Sequence, residues 1–207
     1  FHVNLYHMNV RRYNMAGRAD AAARTGERVL DAMLERFAVL AYDRIRLEDV
    51  ASDAGVTVQT VMRRFGSKSE LMCAVVAREL GRIVAARDAI VDATPVETVA
   101  ALADHYEAYG SLIIKMYAEA GLVDGLPEIA ARGRAYHVEW CRQAFSRSMQ
   151  PYADDARTER RLAQVVAACD ARTWHILRID CALSADQTKT ALQEMLSPLL
   201  RVQAAGR

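Results

Sequence analysis

DVASDAGVTVQTVMRRFGSK, residues 49–68, decides how this chain is read. A helix-like apolar pattern stops at Ala54-Gly55-Val56, resumes within a turn, and then runs through Gln59, Thr60, Arg63 and Arg64 instead of a broad apolar face. Two short helices crossing steeply through a tight turn need a small residue where they touch and a residue tolerant of positive φ in the turn. Ala51 and Gly55 meet those needs. Val50, Val56 and Val61 are candidates for the shared core, and the Thr57 hydroxyl is placed to cap the second helix. Thr57, Val58, Gln59, Thr60 and Arg63 then surround the outward side of a helix of about ten residues, a suitable probe for the major groove of duplex DNA.

Charge along the chain agrees with that reading. The formal net charge is only +1, but residues 1–87 hold 14 Lys and Arg against 10 Asp and Glu, whereas the remaining 120 hold 13 against 16. Between Ala54 and Ser69 stand Arg63, Arg64 and Lys68 with no carboxylate, a composition suited to phosphates.

The flanking pattern is helical throughout. Leu30, Leu34, Phe37 and Ala41, with Val29, Met33 and Leu40, give one amphipathic helix from Thr25. Helices are expected over 47–53 and about 57–65, and Ser67-Lys68-Ser69-Glu70 has the form of a capping box opening a long helix to about Arg87. Further helical runs fall near 95–120, opened by Thr94-Pro95-Val96-Glu97, and near 128–149, 156–182 and 185–196, the last opened by Ser184 and Gln187. No alternating strand pattern competes, so the fold class is all-α: a small N-terminal bundle at 24–69 and a larger helical domain at 70–207. Residues 1–23 begin at Phe1 and lack a sustained period. They read as a flexible leader, in part vector-derived, whose Arg11, Arg12 and Arg18 are a candidate DNA-reaching arm.

The longer run D-V-A-x-x-A-G-V-T-x-x-T-V-x-x-x-F-x-S-K-x-x-L, with Phe37 on the preceding helix, resembles the TetR family of bacterial transcriptional regulators over roughly residues 25–75. The resemblance implies a DNA-binding regulator with Asp49, Val50, Ala51, Ala54, Gly55, Val56, Thr60, Val61 and Phe65 on its scaffold and Lys68 near a phosphate. Three residues depart from the family pattern. Met62 stands where a phosphate-contacting Tyr is usual, Gln59 replaces a small residue, and Arg46 holds the place of a capping Thr. The expected DNA-binding set is Thr57, Val58, Gln59, Thr60, Arg63, Arg64 and Lys68, with the three cations on phosphates and Val58, Gln59 and Thr60 at base edges.

One such helix pair reads few base pairs, so a homodimer on a palindromic operator is expected. Leu162, Val165, Val166 and Cys169 on one helix and Ala191, Leu192, Met195 and Leu196 on the next are the candidate interface, the alternative being that these stripes face their own subunit's core. The resemblance also implies a small-molecule effector in the larger domain. Tyr109, Met116, Tyr136, His137, Trp140 and Trp174 are the candidate lining, a mixture suited either to core or to an apolar chamber with a few orienting polar groups, and hence to an apolar or aromatic ligand.

Other chemistry finds little purchase. No G-x-S-x-G, Walker loop, G-x-G-x-x-G or H-E-x-x-H occurs, so neither an enzyme nor a cofactor is expected. His105, His137 and His175 fall on separate helical runs without a ligand motif, and no metal is expected. Cys73, Cys141, Cys169 and Cys181 are far apart in apolar contexts and read as reduced core thiols, in keeping with a cytoplasmic location. No apolar run is long enough to cross a bilayer.

Overall fold

A computed structural model describes residues 5–88, 93–149 and 155–200. Its helices are α1 (Leu5–Val39), α2 (Leu47–Asp53), α3 (Val58–Phe65), α4 (Lys68–Asp88), α5 (Pro95–Glu119), α6 (Leu126–Ala144), α7 (Asp155–Ala168), α8 (Ala171–His175) and α9 (Ala185–Leu196). The all-α class is therefore observed, and no strand occurs among the described residues. Two compact units divide the chain: residues 1–77 with 122–126, and residues 78–121 with 127–207.

In the first unit, α1 closes over α2 and α3. Met33, Phe37, Val50 and Leu71 are wholly buried, with Ile45, Ala51, Val61 and Met72 nearly so. Each large apolar side chain sealed in this way contributes about 1.5–3 kcal/mol. Polar ties fix the outer edges: Arg36 Nε donates to Asp53 Oδ2 at 2.6 Å, and Arg28 Nε to the Ala54 carbonyl at 3.1 Å. Burial on α1 begins at Gly26, within one residue of the start of the apolar period, yet the helix itself begins at Leu5. Residues 5–23, read as a flexible leader, are helical. Residues 17–24 are exposed, so Ala and Arg propensity carries the helix there without a buried stripe. Arg11 and Arg12 lie among residues whose side chains are outside the described set.

The second unit is built around α5. Its start is the capping box foreseen, with Thr94 Oγ1 accepting from the Glu97 N–H and Glu97 accepting from the Thr94 N–H. Val99, Leu102, Ala103 and Tyr106 on α5 pack with Trp140, Cys141 and Phe145 around α6, and with Val165, Trp174, Leu192 and Leu196. Trp174 lies on Gly110, whose missing Cβ makes room for the indole. The single helix expected over 156–182 is broken. Asp170 turns its side chain to the Arg172 N–H at 2.8 Å and caps α8, and residues Ile176–Asp180 then widen into a π-helical turn. α9 opens on the expected Ser184/Gln187 box.

Candidate nucleic-acid interface and the polar interior of the second unit

The turn between α2 and α3 is set by Gly55 at φ +65°, with the Val56 N–H donating to the Ala51 carbonyl at 2.9 Å. Thr57 caps α3 through the Thr60 N–H at 3.2 Å. Val61 is buried and Val58 and Phe65 are half-buried, so positions 58, 61 and 65 hold α3 to its unit. The opposite side carries Gln59, Met62 and Arg63, all exposed. That side therefore offers water one amide, one thioether and one guanidinium, and Arg64 on the flank is exposed as well.

Lys68, the first residue of α4, lies with its Nζ 4.2 Å from the centroid of the Tyr42 ring. Partial burial lowers its pKa, against the pull of Asp43. Tyr42 shares a hydrogen bond with Ser69, so the lysine is seated and not a free tether. The Ser67 hydroxyl accepts from the Glu70 N–H at 3.0 Å, which is the first half of the expected box. Arg46 precedes α2 with no side-chain cap, as its substitution for a capping hydroxyl implies.

Arg64, an expected phosphate contact, is exposed and also reaches α1. Its NH1 donates to the Ala22 carbonyl of α1 at 2.9 Å, and its guanidinium lies directly on Gly26, where any Cβ would collide with it. Positions 57, 60 and 64 share one flank of α3, and that flank turns Arg64 toward α1. Sequence periodicity could not show this, because it depends on a glycine 38 positions away.

In the second unit the six chamber candidates differ widely in burial. Trp140 and Trp174 are 2% and 3% exposed and belong to the packed core. Trp174 Nε1 donates to Glu107 Oε1 at 2.9 Å, Tyr136 hydroxyl to Asp88 Oδ1 at 3.0 Å, while Tyr109 is exposed beside His105 and Met116 is half-buried. An open groove of about 490 Å³ lies along Val138, Glu159, Leu162, Val166, Asp170 and Thr173. The interface candidates also divide. Val165, Cys169, Leu192 and Leu196 are buried in their own subunit, whereas Leu162, Val166 and Ala191 are half-buried and Met195 is 44% exposed.

The polar centre that the sequence did not suggest is Arg87. It is 5% exposed and meets no carboxylate among the described residues. NH1 contacts His137 Nδ1 at 3.1 Å, NH2 donates to the Tyr106 hydroxyl at 3.0 Å, and the guanidinium carbon sits 5.0 Å from the Trp140 ring centroid. Tyr106 passes the chain on by donating to the Cys169 carbonyl at 2.8 Å, and burial first of all raises its pKa. Arginine can only donate, so His137 Nδ1 accepts and the imidazole proton is assigned to Nε2. Nε2 faces the Val166 carbonyl at 3.3 Å and Cys141 Sγ at 3.8 Å. An arginine inside a helical domain is indistinguishable in sequence from one on its surface, so no signal marked it.

Residues 29–75 match the family model described as bacterial regulatory proteins, tetR family. The chain has no match among the curated proteins. Solved structures share its fold. A candidate TetR-family transcriptional regulator from Rhodococcus sp. superposes with a TM-score of 0.62 at 16% identity, over 86% of this chain and 100% of that one. The transcriptional regulator FadR from Bacillus subtilis, in complex with stearoyl-CoA, gives 0.62 at 14%, over 84% and 97%. A candidate regulator from Saccharomonospora viridis in complex with choline gives 0.60 at 16%, over 86% and 96%.

Proposed function

We propose that this chain, whose residues 29–75 match the tetR family model and whose fold is shared by solved TetR-family regulators, is a transcriptional repressor of that family that leaves a palindromic operator when a small effector binds its larger helical domain. The observation that carries the DNA half is α3 itself: Val58, Val61 and Phe65 anchor it, while Gln59, Met62 and Arg63 face water. Gln59 has the geometry for a bidentate contact to adenine, and Arg63 and Lys68 serve phosphates. Thr57, Val58 and Thr60 shape the edge of the reading face. Arg64 supports α3 from behind by holding α1. The two-fold assembly uses the accessible part of the C-terminal stripes, Leu162, Val166, Ala191 and Met195.

For the effector, support comes from likeness. Two neighbours of this fold were solved with ligands, stearoyl-CoA and choline. An apolar or aromatic compound remains the class proposed here, bound near Tyr109, Met116 and Tyr136, with His137, Trp140 and Trp174 in the wall behind. The tight packing of Trp140 and Trp174 favours a second reading, in which the larger domain only dimerises and senses no ligand.

Selection of bound duplexes from a random pool supplies the operator, and binding is then measured over a salt series. Lys68→Ala should weaken all duplexes and lower the salt slope by about one. Gln59→Ala should change the order of preference among duplexes. Flat responses from both variants, or a monomer by sedimentation at micromolar concentration with operator present, would overturn the assignment. A compound screen scored by release from that operator separates the two readings of the larger domain.

A further inference from the structure

Over residues 17–24, α1 has no core to lie on: all eight are exposed, whereas Val29, Met33 and Phe37 further along are buried. Leu5–Val39 is nevertheless one unbroken helix of 35 residues. What holds its exposed stretch is α3. Arg64 NH1 donates to the Ala22 carbonyl at 2.9 Å, and the guanidinium lies where a Cβ on Gly26 would stand. Ala22 and Gly26 are one turn apart, so the contact fixes a face of α1 and not a single point.

That brace gives the exposed stretch a direction. Val29, Met33 and Phe37 are buried in the unit into which Val61 turns the back of α3, while Gly26 and Ala22 stand at the flank that carries Arg64. Continued toward its N-terminus, α1 passes from back to flank and on toward the side where Gln59, Met62 and Arg63 face water. Its charges are sorted accordingly. At about 3.6 residues per turn, positions 11, 18 and 22 share the face that Arg64 touches, and the acids Asp20, Glu27 and Asp31 fall opposite, with Arg24. Arg18 is exposed and forms no ion pair among the described residues.

We propose that this N-terminal stretch of α1 is a second DNA-contacting element: a helical arm whose Arg11 and Arg18 take phosphates flanking the base pairs that α3 reads. The proposal rests on the DNA reading and adds a partner surface to it.

Charge and reach both fit the duplex backbone. Residues 5–24 hold four arginines, at 11, 12, 18 and 24, against the single acid Asp20. A row of arginines with no acid on its face suits phosphates of any sequence. Arg18 stands one turn beyond Ala22, and position 11 lies about 17 Å beyond it at about 1.5 Å per residue, the length of about five base steps. Arg64 is then a positioning residue as well. By holding Ala22 and lying on Gly26 it sets the angle between α1 and α3, so the arm and the reading helix meet one duplex together.

The test uses the full chain and the operator selected from random duplexes, prepared with long flanks and also trimmed to the selected bases. Hydroxyl-radical footprinting of the long duplex should show protected backbone beyond those bases. Arg11→Ala combined with Arg18→Ala should lose that protection and lower the salt slope by about two, with the order of preference among core sequences unchanged. On the trimmed duplex the same double variant should bind as wild type does. Arg24→Ala, on the opposite face, removes an equal charge and should keep the flank protection; its loss there would point to bulk charge and overturn the assignment to one face. If wild-type protein binds the operator with no protection beyond the selected bases, or if the double variant keeps the wild-type footprint and slope, the proposal is overturned while the DNA reading stands. If wild type selects no duplex, the DNA reading fails and the arm with it. The wild-type footprint decides the matter even where a variant fails to fold.

Discussion

Arg63 in the first unit and Arg87 in the second carry the same guanidinium on the same stem, yet Arg63 stands in water on α3 and Arg87 is 5% exposed beneath Trp140. An exposed cation needs nothing from its own protein and is free for a phosphate. A buried one must be satisfied from within. Arg87 therefore recruits His137, Tyr106 and an indole face from α5 and α6, and the unit organises its polar interior around it. On α3 the first unit presents charge, and at Arg87 the second encloses it.

The largest effect should come from emptying a core. Phe37→Ala should cost about 3–5 kcal/mol in the first unit. Trp140 and Trp174, the chain's two tryptophans, both belong to the second unit. If the units are separate cores, thermal melting should show loss of helical circular dichroism before tryptophan emission changes. Coincident transitions would break the comparison. Next in size is Tyr106→Phe, which leaves the Cys169 carbonyl and an Arg87 N–H without their buried partner and should cost about 1–3 kcal/mol by denaturant titration.

A pH profile sharpens the contrast further. Burial, then the charge of Arg87, lowers the His105 pKa from 6.5 to about 4. The unfolded chain therefore takes up the proton first, and stability is whole above about 6.5, falls between 6.5 and 4, and levels off below. His105→Gln should flatten that part of the stability curve, read from melting temperatures across the window. The smallest change expected is at the surface of the first unit. Arg46→Thr restores a hydroxyl at the uncapped start of α2 and should stabilise that unit by about 1 kcal/mol, measured by the same dichroism melt.

The DNA-reading region was legible because its determinants are local. Ala51, Gly55, Thr57 and Val61 lie within eleven residues, and a turn, a cap and an apolar stripe follow from them directly. Capping pairs three residues apart, Thr94 with Glu97 and Ser184 with Gln187, were equally readable. The break at Asp170 was not, since an Asp inside an Ala-rich run is as compatible with a helix interior as with a cap until its flanks pack. Nor was the fate of the C-terminal stripes. A period of 3.6 marks Leu162, Val165, Val166 and Cys169 as one face, but only the neighbouring helices divide it into Val165 and Cys169 inside and Leu162 and Val166 toward water.

By itself, the sequence determined the all-helical class and the helix-turn-helix, because hydrogen bonding within a helix and capping within a turn involve neighbours along the chain, while which α3 residues face water, Met62 among them and Val58 not, depended on packing. Tertiary structure alone decided where the cations went. It laid Arg64 on Gly26, drew Arg87 into the core and brought His137 and Tyr106 to it from two other helices. The physical reason is that the cost of burying a charge depends on which groups lie within a few ångströms in space, and separation along the chain carries no record of that.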